Sequence, residues 1–226
     1  RLNTTVDEEL AERIAREYDA VYLACGLGEP NAGLLSVASG FYSAEQFLRS
    51  ANAGEFAETG VSGTAFVQGG GNTAIDAAIT AKRLGAERVL VCYRRSRHEM
   101  PAWPEEFVAA VRAGVEFLFL TQVLDVLEAN DRVAGVLLAP VMLGEPDEGG
   151  RRRPEVQHDL AYALKGDMLI TATGKETQDG VAEAFSAAQK AGKLFVGGDA
   201  VSGGATVVQA VAEAKQAVAA IDDFLS

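Results

Sequence analysis

The chain has 226 residues, 48% hydrophobic and 23% charged, a balance that allows one or two globular domains with a sizeable core and excludes a disordered or collagen-like chain. A formal charge of -12, from 32 acidic against 20 basic residues, excludes the excess of clustered lysine and arginine that marks a nucleic-acid binder. With Cys25, Cys92, His98 and His158 as its only soft ligands, the chain by itself cannot supply a four-thiolate iron-sulfur cluster or zinc site.

The cysteines form no CxxC pair, and each lies in an apolar run, which reads as two buried, reduced thiols of a cytosolic protein. Arg1 to Asp7 lack the apolar stretch and the small-residue cleavage site of a signal peptide, and no apolar run approaches the ~20 residues of a membrane span. A cytoplasmic location is expected.

In chain order, Thr5 or Asp7 caps a helix over Asp7 to Glu17, and Ala20 to Ala24 form a buried strand that ends at Gly26 and Gly28. Leu27 to Gly40 reads as a loop, Ser43 caps a short helix carrying Phe47 and Leu48, and Ala53 to Gly63 is a connector. Thr64 to Gln68 (strand), Asn72 to Leu84 (helix) and Val89 to Tyr93 (strand) make a βαβ unit, because apolar Ala74, Ile75, Ala78 and Ile79 recur at helical spacing between two apolar runs. Met100 to Pro104 break the chain. Glu105 to Arg112 form a helix whose Phe107, Val108 and Val111 face inward, ended by Gly114, and Val115 to Leu120 is a strand. Val123 to Leu127 and Val133 to Ala139, joined through Asn130-Asp131, read as antiparallel strands, and Gly144 to Pro154 as a charged loop. Met168 to Thr173 is an apolar strand ending at Gly174. A polar helix from about Val181 to Ala191, a strand Leu194 to Val196, the turn Gly197-Gly198-Asp199 and a long helix from about Thr206 to Phe224 close the chain.

Gly69-Gly70-Gly71-Asn72-Thr73-Ala74 carries the chemistry. Placed after a predicted strand and opening a predicted helix, it has the GxGxxA form of a dinucleotide fingerprint. Gly69 allows the tight turn, Gly71 lets the backbone approach a pyrophosphate, and Ala74 permits close packing of helix on strand, while the helix start offers N-H groups and partial positive charge. The plainer alternative is a glycine turn that only joins strand to helix. At the end of the next strand, where an acidic residue would take the ribose of NAD, the sequence reads Tyr93-Arg94-Arg95-Ser96-Arg97. Arginines there suit a 2'-phosphate through forked, charge-assisted hydrogen bonds and favour NADP(H), against the alternative of a surface arginine cluster. Gly197-Gly198-Asp199 with Gly203-Gly204-Ala205-Thr206 is a second nucleotide-like turn: Asp199 either bonds a ribityl or ribose hydroxyl or braces the turn, and the helix from Thr206 can face a flavin edge. No nucleophile, acid or base stands in a catalytic motif, which accords with hydride chemistry borne by cofactors.

The run Gly69 to Ala102 resembles the NADPH-binding segment of the glutamate synthase small chain and its relatives, among them the flavin-containing half of dihydropyrimidine dehydrogenase and NADPH:ferredoxin-type oxidoreductases. Tyr18 to Gly28, Asp167 to Gly174 and Gly197 to Lys215 match the same pattern. The resemblance implies an α/β chain in which a Rossmann-like NADP-binding domain, three-layered with a mainly parallel sheet, over residues 59–175 interrupts an FAD-binding domain represented by residues 1–58 and 176–226. By matching positions, it implies that Gly70, Gly71, Asn72 and Thr73 hold the pyrophosphate, Arg94 and Arg95 the 2'-phosphate, and Ala172, Thr173 and Gly174 line the nicotinamide. Gly198, Asp199 and the turn through Thr206 would contact FAD. NADPH would then reduce the flavin, and electrons would pass to iron-sulfur centres of another domain or partner. The family's FAD fingerprint has no counterpart in these residues, so the chain is read as a fragment with an incomplete flavin site. The alternatives are a flavin-free NADP(H)-binding module without turnover and a disulfide reductase of the thioredoxin reductase kind, which would need a CxxC.

Overall fold

The computed structural model describes residues 2–27, 34–58, 60–146, 150–174, 183–204 and 206–226. Part of the expected loop after Leu27, the tip of the charged segment after Gly144, the 175/176 boundary, the start of the helix expected at Val181, and Ala205 lie outside the described residues. The first part of the chain forms α1 (Glu8–Glu17), β1 (Val21–Leu23), β2 (Phe41–Ser43), α2 (Ala44–Asn52), β3 (Thr64–Gln68), α3 (Asn72–Arg83) and β4 (Arg88–Tyr93). There follow α4 (Pro104–Arg112), β5 (Glu116–Phe119), β6 (Thr121–Ala129), β7 (Arg132–Pro146), β8 (Arg152–Val156), β9 (Tyr162–Lys165) and β10 (Met168–Thr171). The chain ends with α5 (Ser186–Lys190), β11 (Leu194–Val196), α6 (Asp199–Ser202) and α7 (Val207–Leu225). It divides into two compact units, Arg1–Asn31 with Lys175–Ser226, and Ala32–Gly174.

In the unit of residues 32–174, five parallel strands lie in the order β2-β10-β3-β4-β5. The central residues of β3, β4 and β10 are apolar because both faces are covered, and alternate side chains go to opposite layers. Ala65, Val67, Val89, Val91 and Ile170 pack with Phe47 of α2, with Ala74, Ile75 and Ala78 of α3, and with Ala110 of α4. Phe66, Leu90, Cys92 and Leu169 face the other way, onto Val123 of β6 and Val136 and Leu138 of β7. The layers are therefore helices, parallel sheet, and an antiparallel sheet in which β7 pairs with β6, β8 and β9. The small residues Ala74, Ala77, Ala78 and Ala81 of α3 are fully buried, which lets that helix lie close on the sheet.

Local signals explain the ends of these elements. Ser43 and Gln46 form a capping box at α2, and Pro104 takes the first position of α4. Asn130 and Asp131 both adopt positive φ, 55° and 58°, which suits the two-residue turn of the β6-β7 hairpin. The Asp167 carboxylate accepts from the Thr64 N-H at 2.8 Å, tying the entrances of β10 and β3 together.

Four expectations change. The first unit boundary falls at 31/32 instead of 58/59, because β2 pairs in parallel with β10 and α2 packs on α3. The aromatic cluster of Tyr42, Phe47 and Phe56 holds that segment in the unit. In α4, Val108 and Val111 are 43% and 50% exposed, while Ala110 is the fully buried residue. A nine-residue helix docking through one alanine and Phe107 presents a narrower face than its valines suggest. The charged segment is mostly strand: β7 runs on to Pro146 and β8 starts at Arg152. Cys25 is exposed, since β1 ends at Leu23 before reaching it.

The other unit is smaller. Asp7 caps α1, accepting from Leu10 N-H at 2.9 Å, and α1 buries Ala11 and Ala15 against Val21, Leu23, Phe185 and Ala188. Its sheet is the parallel pair β1-β11. Thr206 caps α7, whose Phe224 meets Phe195 of β11 edge-on at 5.7 Å. No helix among the described residues is long and apolar enough to cross a membrane.

Candidate functional site

The glycine turn leaves β3 at the carboxyl end of the parallel sheet and runs into α3. Gly69 adopts φ +147°, and a Cβ there would come within 2.4 Å of the Ala172 carbonyl oxygen at the end of β10. Ala172 N-H in turn donates to Gln68 O at 2.7 Å, so the ends of β3 and β10 are stitched at this point. At Gly70 a Cβ would lie 2.5 Å from the Tyr93 ring of β4. Each of these glycines is required by a neighbouring strand end.

Gly71 differs. It is the N-cap residue of α3 with an ordinary φ of -86°, and a Cβ there would meet nothing within 4 Å. No side chain caps α3, and its first turn holds no acidic residue. The partial positive charge of the helix start therefore opens onto space, the arrangement that suits an anion. Asn72, expected on the pyrophosphate, braces the site: its side-chain oxygen accepts from Trp103 N-H at 3.0 Å, and Ala102 N-H donates to Gly70 O at 3.0 Å. Thr73 is exposed on the first turn. The structure thus brings Gly69, Gly70, Gly71, Asn72, Thr73 and Ala172 together, with Thr173 and Gly174 exposed just beyond.

The two arginines after Tyr93 separate. Arg94 is exposed at the end of β4, whereas Arg95 is 7% exposed and its Nε donates to Arg152 O at 2.8 Å. The chain bends just past the end of β4, leaving one guanidinium in solvent and the other buried against the β7-β8 ribbon. Arg97 stacks over the Phe107 ring at 4.2 Å. Ser96 and Glu99 form a capping box around the following turn. The Ser96 hydroxyl donates to the Glu99 carboxylate and holds its carboxyl below the usual carboxylate range, with the charge of Arg152 acting in the same direction.

Three residues near this site had no role in the sequence reading. Arg152 stood only within a charged run, because pairing of β8 with β7 has no short-range signal. Trp103 lies within the Met100 to Pro104 break and stands in no motif. Gln68 is 9% exposed, donates to Val123 O at 3.5 Å, and keeps its Oε1 buried without a hydrogen-bond partner. A polar residue ending an apolar strand was its visible signal.

Gly198, Asp199 and Thr206 belong to the other unit. Gly198 adopts φ +75° and its N-H donates to Glu213 at 2.8 Å, Asp199 is half-buried in the first turn of α6, and the Thr206 hydroxyl accepts from Gln209 N-H at 3.2 Å. Thr206 therefore serves α7 as its cap. Among the described residues no three His, Cys, Asp or Glu side chains cluster as a metal site.

A family model described as pyridine nucleotide-disulphide oxidoreductase matches residues 3–214. The beta subunit of NADP(+)-dependent formate dehydrogenase from Moorella thermoacetica is 35% identical over 243 residues, covering 99% of this chain and 34% of that protein. The glutamate synthase (NADPH) small chain of Escherichia coli K12 is 33% identical over 260 residues, covering 100% of this chain and 54% of that one. The chain thus spans between a third and about half of the length of these relatives. Among solved structures, Mycobacterium tuberculosis FprA in complex with NADPH superposes with a TM-score of 0.72 at 15% identity, over 95% of this chain and 65% of that one. Thioredoxin reductase of T. acidophilum gives 0.64 at 14% identity, over 92% and 66%. These likenesses share the α/β architecture with parallel sheets, and with the match over residues 3–214 the chain belongs to the pyridine nucleotide-disulphide oxidoreductase family.

Proposed function

We propose that this chain is the NADPH-binding part, with a portion of the FAD-binding part, of a flavoprotein oxidoreductase of the glutamate synthase small-chain kind. The unit of residues 32–174 would bind NADPH, and Gly198, Asp199 and the start of α7 would contribute to an FAD site. The observation that carries this reading is the open, uncapped start of α3 behind Gly71, beside an exposed Arg94 at the end of β4. Two relatives whose names specify NADP(+) or NADPH align over 99% and 100% of the chain.

On this reading the N-H groups at Gly71, Asn72 and Thr73 hold the pyrophosphate, and the space that a Cβ at Gly71 would fill is where the backbone meets it. Arg94 holds the 2'-phosphate, and Ala172, Thr173 and Gly174 line the nicotinamide. Asn72, through Trp103, keeps the β4-α4 connection against the turn. Bound together, the two cofactors supply a hydride donor and its acceptor, and electrons would leave to an iron-sulfur centre of another domain or a partner subunit.

The test uses Trp103, the chain's single tryptophan, as reporter. Titration with NADPH and NADH should show NADPH bound about tenfold or more tightly, and Arg94→Glu should erase that preference, since one charge-assisted contact contributes about 1.5–3 kcal/mol. Equal affinities, or a preference that survives Arg94→Glu, would overturn the assignment. Nucleotide binding without any uptake of added FAD would favour an NADP(H)-binding module without turnover.

A further inference from the structure

The chain is strongly acidic, yet Arg94-Arg95-Ser96-Arg97 and Arg151-Arg152-Arg153 hold six of its 20 lysines and arginines. The two runs, 57 residues apart at their junction, meet in the fold: Arg95 is buried and its Nε donates to Arg152 O at 2.8 Å. We propose that the β7-β8 ribbon supplies a second arginine, Arg152, to the 2'-phosphate side of the nucleotide site, and that Arg95 is a positioning residue holding it there instead of a phosphate ligand. This deepens the NADPH reading and rests on it.

Three observations support the assignment. β8 ends the strand order β6-β7-β8, and Arg95 fastens a backbone carbonyl of that terminal strand to the loop that carries Arg94. The Arg152 guanidinium is itself held, donating to Gly144 O at 3.0 Å and to Leu143 O. A guanidinium has five N-H donors in a fixed fork, so two bonds to its own ribbon leave others to meet an anion. Its charge also reaches Glu99, whose carboxylate is bonded to Ser96 on that same loop. Glu99 supplies one negative charge to this loop and ribbon, and a phosphate at the end of β4 would add a second beside Arg94 and Arg152.

The test compares dissociation constants for NADPH and NADH, read by Trp103 fluorescence on the full chain, for wild type, Arg152→Gln, Arg95→Lys and Arg94→Glu. Arg152→Gln should weaken NADPH about tenfold and NADH less than about twofold. Arg95→Lys keeps the charge but loses the Nε donor, so it should also lower the ratio of NADPH to NADH affinity; full retention by Lys would mark Arg95 as a charge-only ligand and overturn its positioning role. An unchanged ratio in Arg152→Gln, with the preference present in wild type and erased by Arg94→Glu, would overturn this inference alone. No preference in wild type would overturn the NADPH reading and this inference with it. NADH binding serves as the check that each variant is folded.

Discussion

Cys92 points from β4 into the layer between the two sheets, among Phe66, Leu90 and Val123, and burial pushes its thiol up to about 12. Cys25, just past the end of β1, is exposed. A thiol whose pKa is raised by folding keeps its proton in the folded chain while the unfolded chain gives it up, so stability is unaffected below the ordinary thiol range and falls progressively as pH rises from that range toward the raised value. With a thiol-specific reagent at mildly alkaline pH, one cysteine per folded chain, Cys25, should therefore react, and both should react in denaturant. Two fast equivalents in the folded chain would contradict the burial of Cys92. Both cysteines occupy similar apolar stretches, so the sequence offered no means of telling them apart; the difference arises because β1 is only three residues long.

Strand, turn and helix around Gly69 to Gly71 form one element with two separable demands. Gly70 is required by the Tyr93 ring, so Gly70→Ala should overpack the turn and cost about 1–3 kcal/mol of stability, measured by denaturant unfolding. Gly71 has open space, so Gly71→Ala should cost no more than about 1 kcal/mol, the difference between glycine and alanine at an N-cap, while weakening nucleotide binding about tenfold or more. Equal losses of stability in the two variants, or intact nucleotide affinity in Gly71→Ala, would refute the distinction. The motif itself was plain in the sequence, because its glycines follow an apolar strand and precede residues at helical spacing. What each glycine accommodates was not, since Tyr93 and Ala172 reach the turn from other strands. The same holds for α4, where apolar spacing alone pointed to Val108 and Val111 but the sheet is met by Phe107 and Ala110.

At the scale of the whole molecule, the unit of residues 32–174 covers both faces of its parallel sheet, with helices on one side and an antiparallel sheet on the other. The other unit has a two-stranded sheet and a small core around Ala11 and Phe185, and Val207, Val208, Val211 and Val218 of α7 are exposed. A fragment of residues 32–174 should thus unfold in a single cooperative transition followed by circular dichroism, and should keep the NADPH-to-NADH affinity ratio of the full chain. A broad, non-cooperative melt would show that its core depends on the other unit. Composition, the apolar runs and the glycine turn were enough to determine the α/β class, the βαβ unit, the β6-β7 hairpin and the family resemblance, because each rests on residues near one another in the chain. The tertiary structure alone decided that β2 adds to the sheet beside β10, that β7 extends to pair with β8 and β9, and that Arg95 turns inward to meet Arg152. Those outcomes depend on which distant strand ends pack together, and short-range periodicity carries no record of such partners.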